Sequence, residues 1–365
     1  MRFSGFDDEW IEEKLGNLVQ IRSGECTKNL ITGIDNSIPY FKVEQLNNSL
    51  KYQIKTPYFI NDKSKIVNKG SIIFPKRGAA ILLNKIRILN QDSFMDTNLM
   101  TLTPNNKLYN EFLYYFIYKE NLSKIADTTS IPQLNNKHIK PYPIKLPSFE
   151  EQLKISKFIS SVDKKVSLLS QNLEIFNDFK KGLLQQIFTQ KLRFDFKDEW
   201  KQYKLKDLLS VKSSSISINQ LEDNTGTYPL YGASGFLKNI DFCEMETDYI
   251  SIVKDGSGVG NLSYHEKNSS IVNTSQYLLP KKNFDIHFLY YLLQTLNLLK
   301  YVNGSSIPHI YFKDYCIEKV NVPSLPEQQQ IGKLLVDADK TLENINNCIN
   351  ITQEFKKGLL QQMFV

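Results

Sequence analysis

The side chains in this sequence that could do chemistry are hydrogen-bond donors and acceptors rather than nucleophiles. Lys76-Arg77-Gly78 and Lys254-Asp255-Gly256, the second followed by Ser257, set charged side chains beside a glycine turn. Arginine and lysine hydrogen-bond guanine edges or neutralise phosphates. Asn98, and Asn273 with Gln276, come after the next apolar stretch, and Asn and Gln bond adenine bidentately. Gln133, Asn135 and Lys137 follow one Ile-Pro pair, while His309 and Lys313 follow another. Together these residues form the expected DNA-contacting set. Asn and Gly are also ordinary turn residues, so each has a structural reading beside the binding one.

Signals for catalysis or metal binding are nearly absent. No Gly-x4-Gly-Lys-[Ser/Thr] phosphate loop occurs, and no [Asn/Asp]-Pro-Pro-[Tyr/Phe] of the kind that adenine methylation uses. Asp255-Gly-Ser-Gly-Val-Gly260 has dinucleotide-like spacing, but strand-like Asn261-Leu-Ser-Tyr-His265 follows where a helix should open, so a turn is expected. Asp178-x-Lys180 and Glu354-x-Lys356 mimic half of a nuclease site, yet they fall on a helical pattern where solvated or inter-helix charges are expected. His138, His265, His287 and His309 share no spacing, and Cys26, Cys243, Cys316 and Cys348 are scattered. Reduced thiols, no metal site and a cytoplasmic protein are expected. No apolar run approaches the roughly 18 residues of a membrane span, and the N-terminal stretch lacks the apolar core of a signal peptide.

The elements that must position these residues come in two copies. Phe179-Lys-Lys-Gly-Leu-Leu-Gln-Gln-Ile-Phe188 returns as Phe355-Lys-Lys-Gly-Leu-Leu-Gln-Gln-Met-Phe364, shifted by 176 residues. The same shift carries Pro147-Ser148-x-x-Glu151-Gln152 onto Pro323-Ser324-x-x-Glu327-Gln328, and Phe112-Leu-Tyr-Tyr115 onto Phe288-Leu-Tyr-Tyr291. Asp8-Glu-Trp10 recurs as Asp198-Glu-Trp200, shifted by 190, so the first copy is longer between Pro39 and Phe112. The chain is an internal duplication. Ile72-Ile-Phe-Pro-Lys-Arg-Gly78 and Ile250-Ser-Ile-Val-Lys-Asp-Gly256 each predict a buried strand entering a turn. Phe-Leu-Tyr-Tyr predicts a short helix whose tyrosines serve its core rather than stacking on bases. Each globular unit is therefore of mixed α+β class.

Two long helices follow the globular units. Ser148 with Glu151, and Ser324 with Glu327, have capping-box spacing, and Pro326 falls in a first turn that tolerates it. A heptad seam runs through Ile159, Val162, Val166, Leu169, Leu173 and Phe176 in one helix. In the other it runs through Leu335, Ala338, Leu342, Ile345 and Ile349. Lys180, Thr352 and Lys356 interrupt it. Neither helix can bury its seam alone, so the two are expected to pair as an antiparallel intramolecular coiled coil with pseudo-two-fold symmetry. An intermolecular coiled coil is the competing arrangement. Lys164, Lys165 and Lys181 lie off the seam and, with Lys180, are candidates for contact with a partner, an ordinary solvated face being the other reading. The net charge of +6 sits in the first unit: residues 1–145 carry 20 Lys and Arg against 14 Asp and Glu, and residues 146–365 carry 25 against 25. A basic unit suits a polyanion.

With these motifs the chain resembles the specificity (S) subunits of type I restriction-modification systems. The resemblance rests on the openings Trp10-x3-Lys14-Leu15 and Trp200-x3-Lys204-Leu205, on the two Pro-Ser-x-x-Glu-Gln starts, and on the two Lys-Lys-Gly-Leu-Leu-Gln-Gln ends. It covers essentially the whole chain, departing only in the shorter second unit and that unit's lack of net positive charge. The resemblance implies target recognition domains at 1–145 and 191–321, and spacer helices at 146–190 and 322–365. It implies a non-catalytic DNA-specificity subunit that reads an asymmetric, bipartite double-stranded target. By the same resemblance it recruits two modification (M) subunits and then restriction (R) subunits, in a complex that methylates adenine N6 and cleaves DNA with ATP. No cofactor is expected on this chain; S-adenosylmethionine belongs to the M subunits, and ATP and Mg²⁺ to the R subunits. A two-headed coiled-coil scaffold that never reads DNA, or an enzyme with an unrecognised site, are the alternatives.

Overall fold

The computed structural model describes every residue except 28–29, 32–36, 63, 65, 128–130, 222–223, 305 and 365. The chain divides into two compact units: Met1–Leu169 with Cys348–Val365, and Ser170–Asn347. Each long helix therefore contributes to both units.

The first unit is built on a five-stranded sheet in the order Val19–Ser23, Leu99–Pro104, Ile72–Pro75, Arg87–Leu89, Tyr52–Gln53. Ile72–Pro75 is antiparallel to Leu99–Pro104, with Ile72 opposite Leu102. Its four residues are all buried because both faces of the strand are covered. Successive side chains point to opposite faces. Ile72 and Phe74 pack with Phe112 and Tyr115 of the helix Asn110–Glu120. Ile73 packs with Tyr40, Phe41 and Phe94 of a small second sheet.

The second unit repeats the plan with a four-stranded antiparallel sheet: Leu209–Ser213, Ser275–Pro280, Tyr249–Val253, Leu262–His265. Ile250 and Ile252 pack on Phe288 and Leu292 of the helix Ile286–Gln294, while Tyr249 packs with Tyr277 on the other face. Tyr114, Tyr115 and Tyr291 are buried, as helix-core residues. A short antiparallel ladder closes each globular part. Ile11–Lys14 pairs with Pro143–Leu146, and Lys201–Lys204 with Lys319–Val322, so each part's first strand lies beside its last, just ahead of a long helix.

The long helices run Phe149–Phe188 and Leu325–Met363, 40 and 39 residues. Ser148 Oγ accepts the Glu151 N–H at 3.2 Å, which is half of a capping box. The other half is not made. The buried Glu151 carboxylate takes a two-pronged bond from Arg2 instead, at 2.9 and 2.8 Å. Glu327 likewise binds Arg193 at 3.1 and 2.8 Å and the Trp200 indole at 3.1 Å. A carboxylate taken out of water needs fixed donors, and the guanidinium fork supplies two in one plane. The next residue fastens helix to domain. Gln152 accepts from Tyr109 N–H and donates to Pro147 carbonyl, and Gln328 accepts from Asp285 N–H and donates to Pro323 carbonyl.

Of the seam residues, Ile159, Val162, Leu335, Ala338 and Ile349 are buried, and Val166, Leu169, Leu173, Phe176, Leu342 and Ile345 are half-buried. The seam's charged interruptions are ion pairs. In the first unit Lys356 meets Asp163 at 2.6 Å, and Tyr115 donates to the same carboxylate at 2.6 Å. In the second, Lys180 pairs with Asp339, and Tyr291 donates to it at 2.6 Å. Burial, followed by the nearby carboxylate, raises the pKa of both tyrosines, so they stay protonated donors. The two lysines of the nuclease-like spacings are thus inter-helix charges, and Lys180 is not a free surface residue.

Candidate nucleic-acid interface

In each unit the charged turn sits at the end of the central strand, held by backbone bonds from two other segments. In the first unit Lys76 N–H donates to Asn98 carbonyl at 2.8 Å, Leu134 N–H to Lys76 carbonyl at 2.9 Å, and Gly78 N–H to Pro132 carbonyl at 2.9 Å. Arg77 bridges Gln133, which in turn bridges Asp127. In the second unit Lys254 N–H donates to Thr274 carbonyl, Ile310 N–H to Lys254 carbonyl and Gly256 N–H to Pro308 carbonyl, each at 2.9 Å. Asp255 bridges His309, which bridges Asn303. The two networks share these bonds, and the second adds one, Asp255 N–H to Thr274 carbonyl at 3.2 Å. Gly78 and Gly256 have φ of +79° and +93°, and a Cβ at either would meet nothing within 4 Å. The glycine is therefore required by the turn's left-handed backbone and not by crowding.

This frame gathers Lys76, Arg77, Gly78, Asn98 and Gln133 in the first unit, and Lys254, Asp255, Gly256 and His309 in the second. Ser257 is exposed beside the second group. Asn98 and Asn273 are both exposed, but the residue matching Asn98 in the frame is Thr274. Gln276 stands apart from the turn. It lies within the strand Ser275–Pro280, half-buried, with its Nε2 3.3 Å from Ser213 Oγ. Asn135 stands at the start of the short helix Asn136–Ile139, where its N–H donates to His138 Nδ1 at 3.2 Å. Lys137 and Lys313 are exposed at equivalent places in the short helices Asn136–Ile139 and Phe312–Tyr315.

Electrostatics differ between the units although the frame does not. Lys76 is held below the ordinary lysine range, first by burial and then by the neighbouring Arg77 charge. Two cations side by side, opposed only in part by the nearby Asp96 carboxylate, form a site that an anion or an electron-rich base edge would relieve. In the second unit the Lys254 ammonium lies 3.7 Å from Asp255, so the same turn is locally neutral. The segment Asp255–Gly260 closes on itself, with Gly260 N–H donating to Val253 carbonyl at 2.8 Å, and a strand follows it. It is a turn and not a dinucleotide loop.

Two residues were not foreseen from the sequence. Ile131 and Ile307, 67% and 68% exposed, occupy the same place in the Ile-Pro segments beside the charged turns. Their recurrence was visible, but an isoleucine by itself suggests core. Among the described residues no group of three or more His, Cys, Asp or Glu is placed to hold a metal, and no helix is long and apolar enough to cross a membrane.

Comparison with known proteins bears on this arrangement. Residues 7–175 and 197–353 each match the model of the type I restriction modification DNA specificity domain. The chain is 22% identical to the type I restriction enzyme MjaVIII specificity subunit of Methanocaldococcus jannaschii, over 92% of this chain and 87% of that protein. It is 24% identical to a putative type I specificity subunit of Mycoplasma pneumoniae, over 98% and 96%. Its fold is similar to the crystal structure of the S subunit of a type I restriction-modification system from M. genitalium (TM-score 0.67, 19% identity, 100% and 97% of the two chains). It is also similar to the HsdS subunit from Thermoanaerobacter tengcongensis (TM-score 0.51, 15% identity, 98% and 97%).

Proposed function

The chain belongs to the type I restriction modification DNA specificity family, and from that premise we propose that its two globular parts each read one half of an asymmetric, bipartite duplex target. The observation that carries this is one frame displaying different side chains. Lys-x-Gly and Ile-Pro recur in both units, whereas Arg77, Asn98 and Gln133 are replaced by Asp255, Thr274 and His309. A shared scaffold with unlike hydrogen-bonding groups suits two unlike half-sites.

The long helices pair antiparallel within one molecule in this reading. Asp163 and Asp339 are repeat equivalents, as are Lys180 and Lys356, and each aspartate meets the other copy's lysine. Each pair joins the two long helices inside one unit. In this reading the paired helices set the spacing of the half-sites. The chain is non-catalytic and binds no cofactor itself. Two M subunits carry S-adenosylmethionine and flip the target adenine, and R subunits carry ATP and Mg²⁺. Exposed Lys164, Lys165 and Lys181 lie on helix faces open to such partners.

The test is to replace residues 1–145 with the corresponding part of another family member, co-express the M subunit, and map methylated adenines. One half of the motif should change and the other persist. An unaltered motif would exclude DNA reading by this part and favour a scaffold.

A further inference from the structure

Arg77 and Asp255 occupy one position in two copies of the same frame and carry opposite charges. Each follows a lysine whose N–H is bonded to the carbonyl just ahead of the next strand of the sheet, Asn98 or Thr274, each precedes a glycine of positive φ, and each bridges the residue after an Ile-Pro pair. Arg77 is exposed, and its side chain makes no hydrogen bond or ion pair among the described residues. The Asp255 side chain is 37% exposed, and its ion-pair partner is Lys254 at a long 3.7 Å. Neither is consumed by the fold.

Building on the two-part reading above, we propose that Arg77 and Asp255 each specify one base in their half of the target, Arg77 a guanine and Asp255 a cytosine, through the major groove. The charges make the choice. An arginine can rest on a phosphate or fork onto guanine O6 and N7. A carboxylate is repelled by the phosphates, so among the groups of duplex DNA only an exocyclic amino group can hold it. In the major groove that leaves cytosine N4 and adenine N6. Adenine sets its N7 acceptor beside N6, where it repels the second carboxylate oxygen, whereas cytosine N4 has no acceptor of its own base alongside. Guanine and thymine present acceptors to the groove and are rejected outright. Asp255 therefore enforces the stricter position, because a wrong base leaves a carboxylate facing lone pairs.

The experiment uses the full chain complexed with its M subunits and duplexes carrying the motif found by methylome mapping. 7-Deazaguanine, lacking N7, replaces each guanine in turn, and 2-pyrimidinone, lacking the amino group, replaces each cytosine. Binding is measured in salt low enough that every variant's non-specific binding is seen. The wild-type complex should lose roughly 5- to 150-fold in affinity at one guanine in one half and at one cytosine in the other. Arg77→Ala should abolish the guanine response and keep the cytosine response, and Asp255→Ala should do the reverse. The inference is overturned if no such pair of positions exists in the wild type, or if either variant keeps the response assigned to its missing side chain. A wild-type complex that lays down no two-part motif would instead defeat the reading on which the inference rests.

Discussion

Phe364, near the C-terminus, is 4% exposed and packs its ring 4.8 Å from Phe112 and 6.5 Å from Phe116. It fills the core of the first unit some 250 residues from its partners in sequence. Phe364→Ala should remove the transfer energy of the ring and leave a cavity, a cost of about 3–5 kcal/mol. For a unit of roughly 190 residues, each kcal/mol moves the midpoint by about 2–4 °C, so the first unit should melt roughly 6–20 °C lower. Phe188, its repeat equivalent, packs on Phe288 at 5.5 Å but is only half-buried, so Phe188→Ala should cost the second unit less. Phe179→Ala, at a position 57% exposed, is the control and should change stability by under about 0.5 kcal/mol. Differential scanning calorimetry reads the midpoints, and hydrogen exchange of Asn110–Glu120 localises the loss. A Phe364→Ala midpoint within about 2 °C of wild type would refute the claim that the end of the second long helix is core to the first unit.

Three further outcomes are expected. Gly78→Ala and Gly256→Ala should each cost about 1–3 kcal/mol in equilibrium unfolding, purely from positive-φ backbone, since no neighbour obstructs the new methyl; an unchanged unfolding curve would contradict this. His265 is buried against Tyr249 and bonded to Ser251, and burial pushes its pKa from 6.5 down to about 4. The unfolded chain then binds the proton first, so the second unit should lose roughly 3 kcal/mol as pH falls from about 6.5 to 4, and His265→Gln should flatten that slope in denaturant titrations. Lys137→Ala and Lys313→Ala, both at exposed positions, should each reduce the slope of log K against log salt by about 0.9 if each lysine neutralises a phosphate, as measured by DNA binding of the assembled complex.

The duplication made much of this legible beforehand. Because a 176-residue shift aligned the long helices and the Ile-Pro turns, and a shift of 178 the central strands, the mixed class and the paired frame could be anticipated from residues alone. What escaped depends on contacts distant in sequence. Glu151 has capping-box spacing, but its carboxylate goes to Arg2, 149 positions away. Lys51 looks like a surface lysine. It is instead held by Glu111 at 2.8 Å, Tyr115 at 2.9 Å and Ser160 at 3.1 Å, and burial lowers its pKa. Gln276 shares the polarity of the turn residues, yet strand alternation turns it toward Ser213. Composition cannot separate these cases, because an amide or an ammonium suits a buried network as well as a base edge.

The most direct measurement is methylome sequencing of a host free of other adenine methylation, expressing this chain with its M subunit, against the same host lacking the chain. Two heads with one frame and different side chains predict a single asymmetric, two-part motif, with a modified adenine in each part on opposite strands. A palindromic motif, or no motif although the complex assembles, would contradict it.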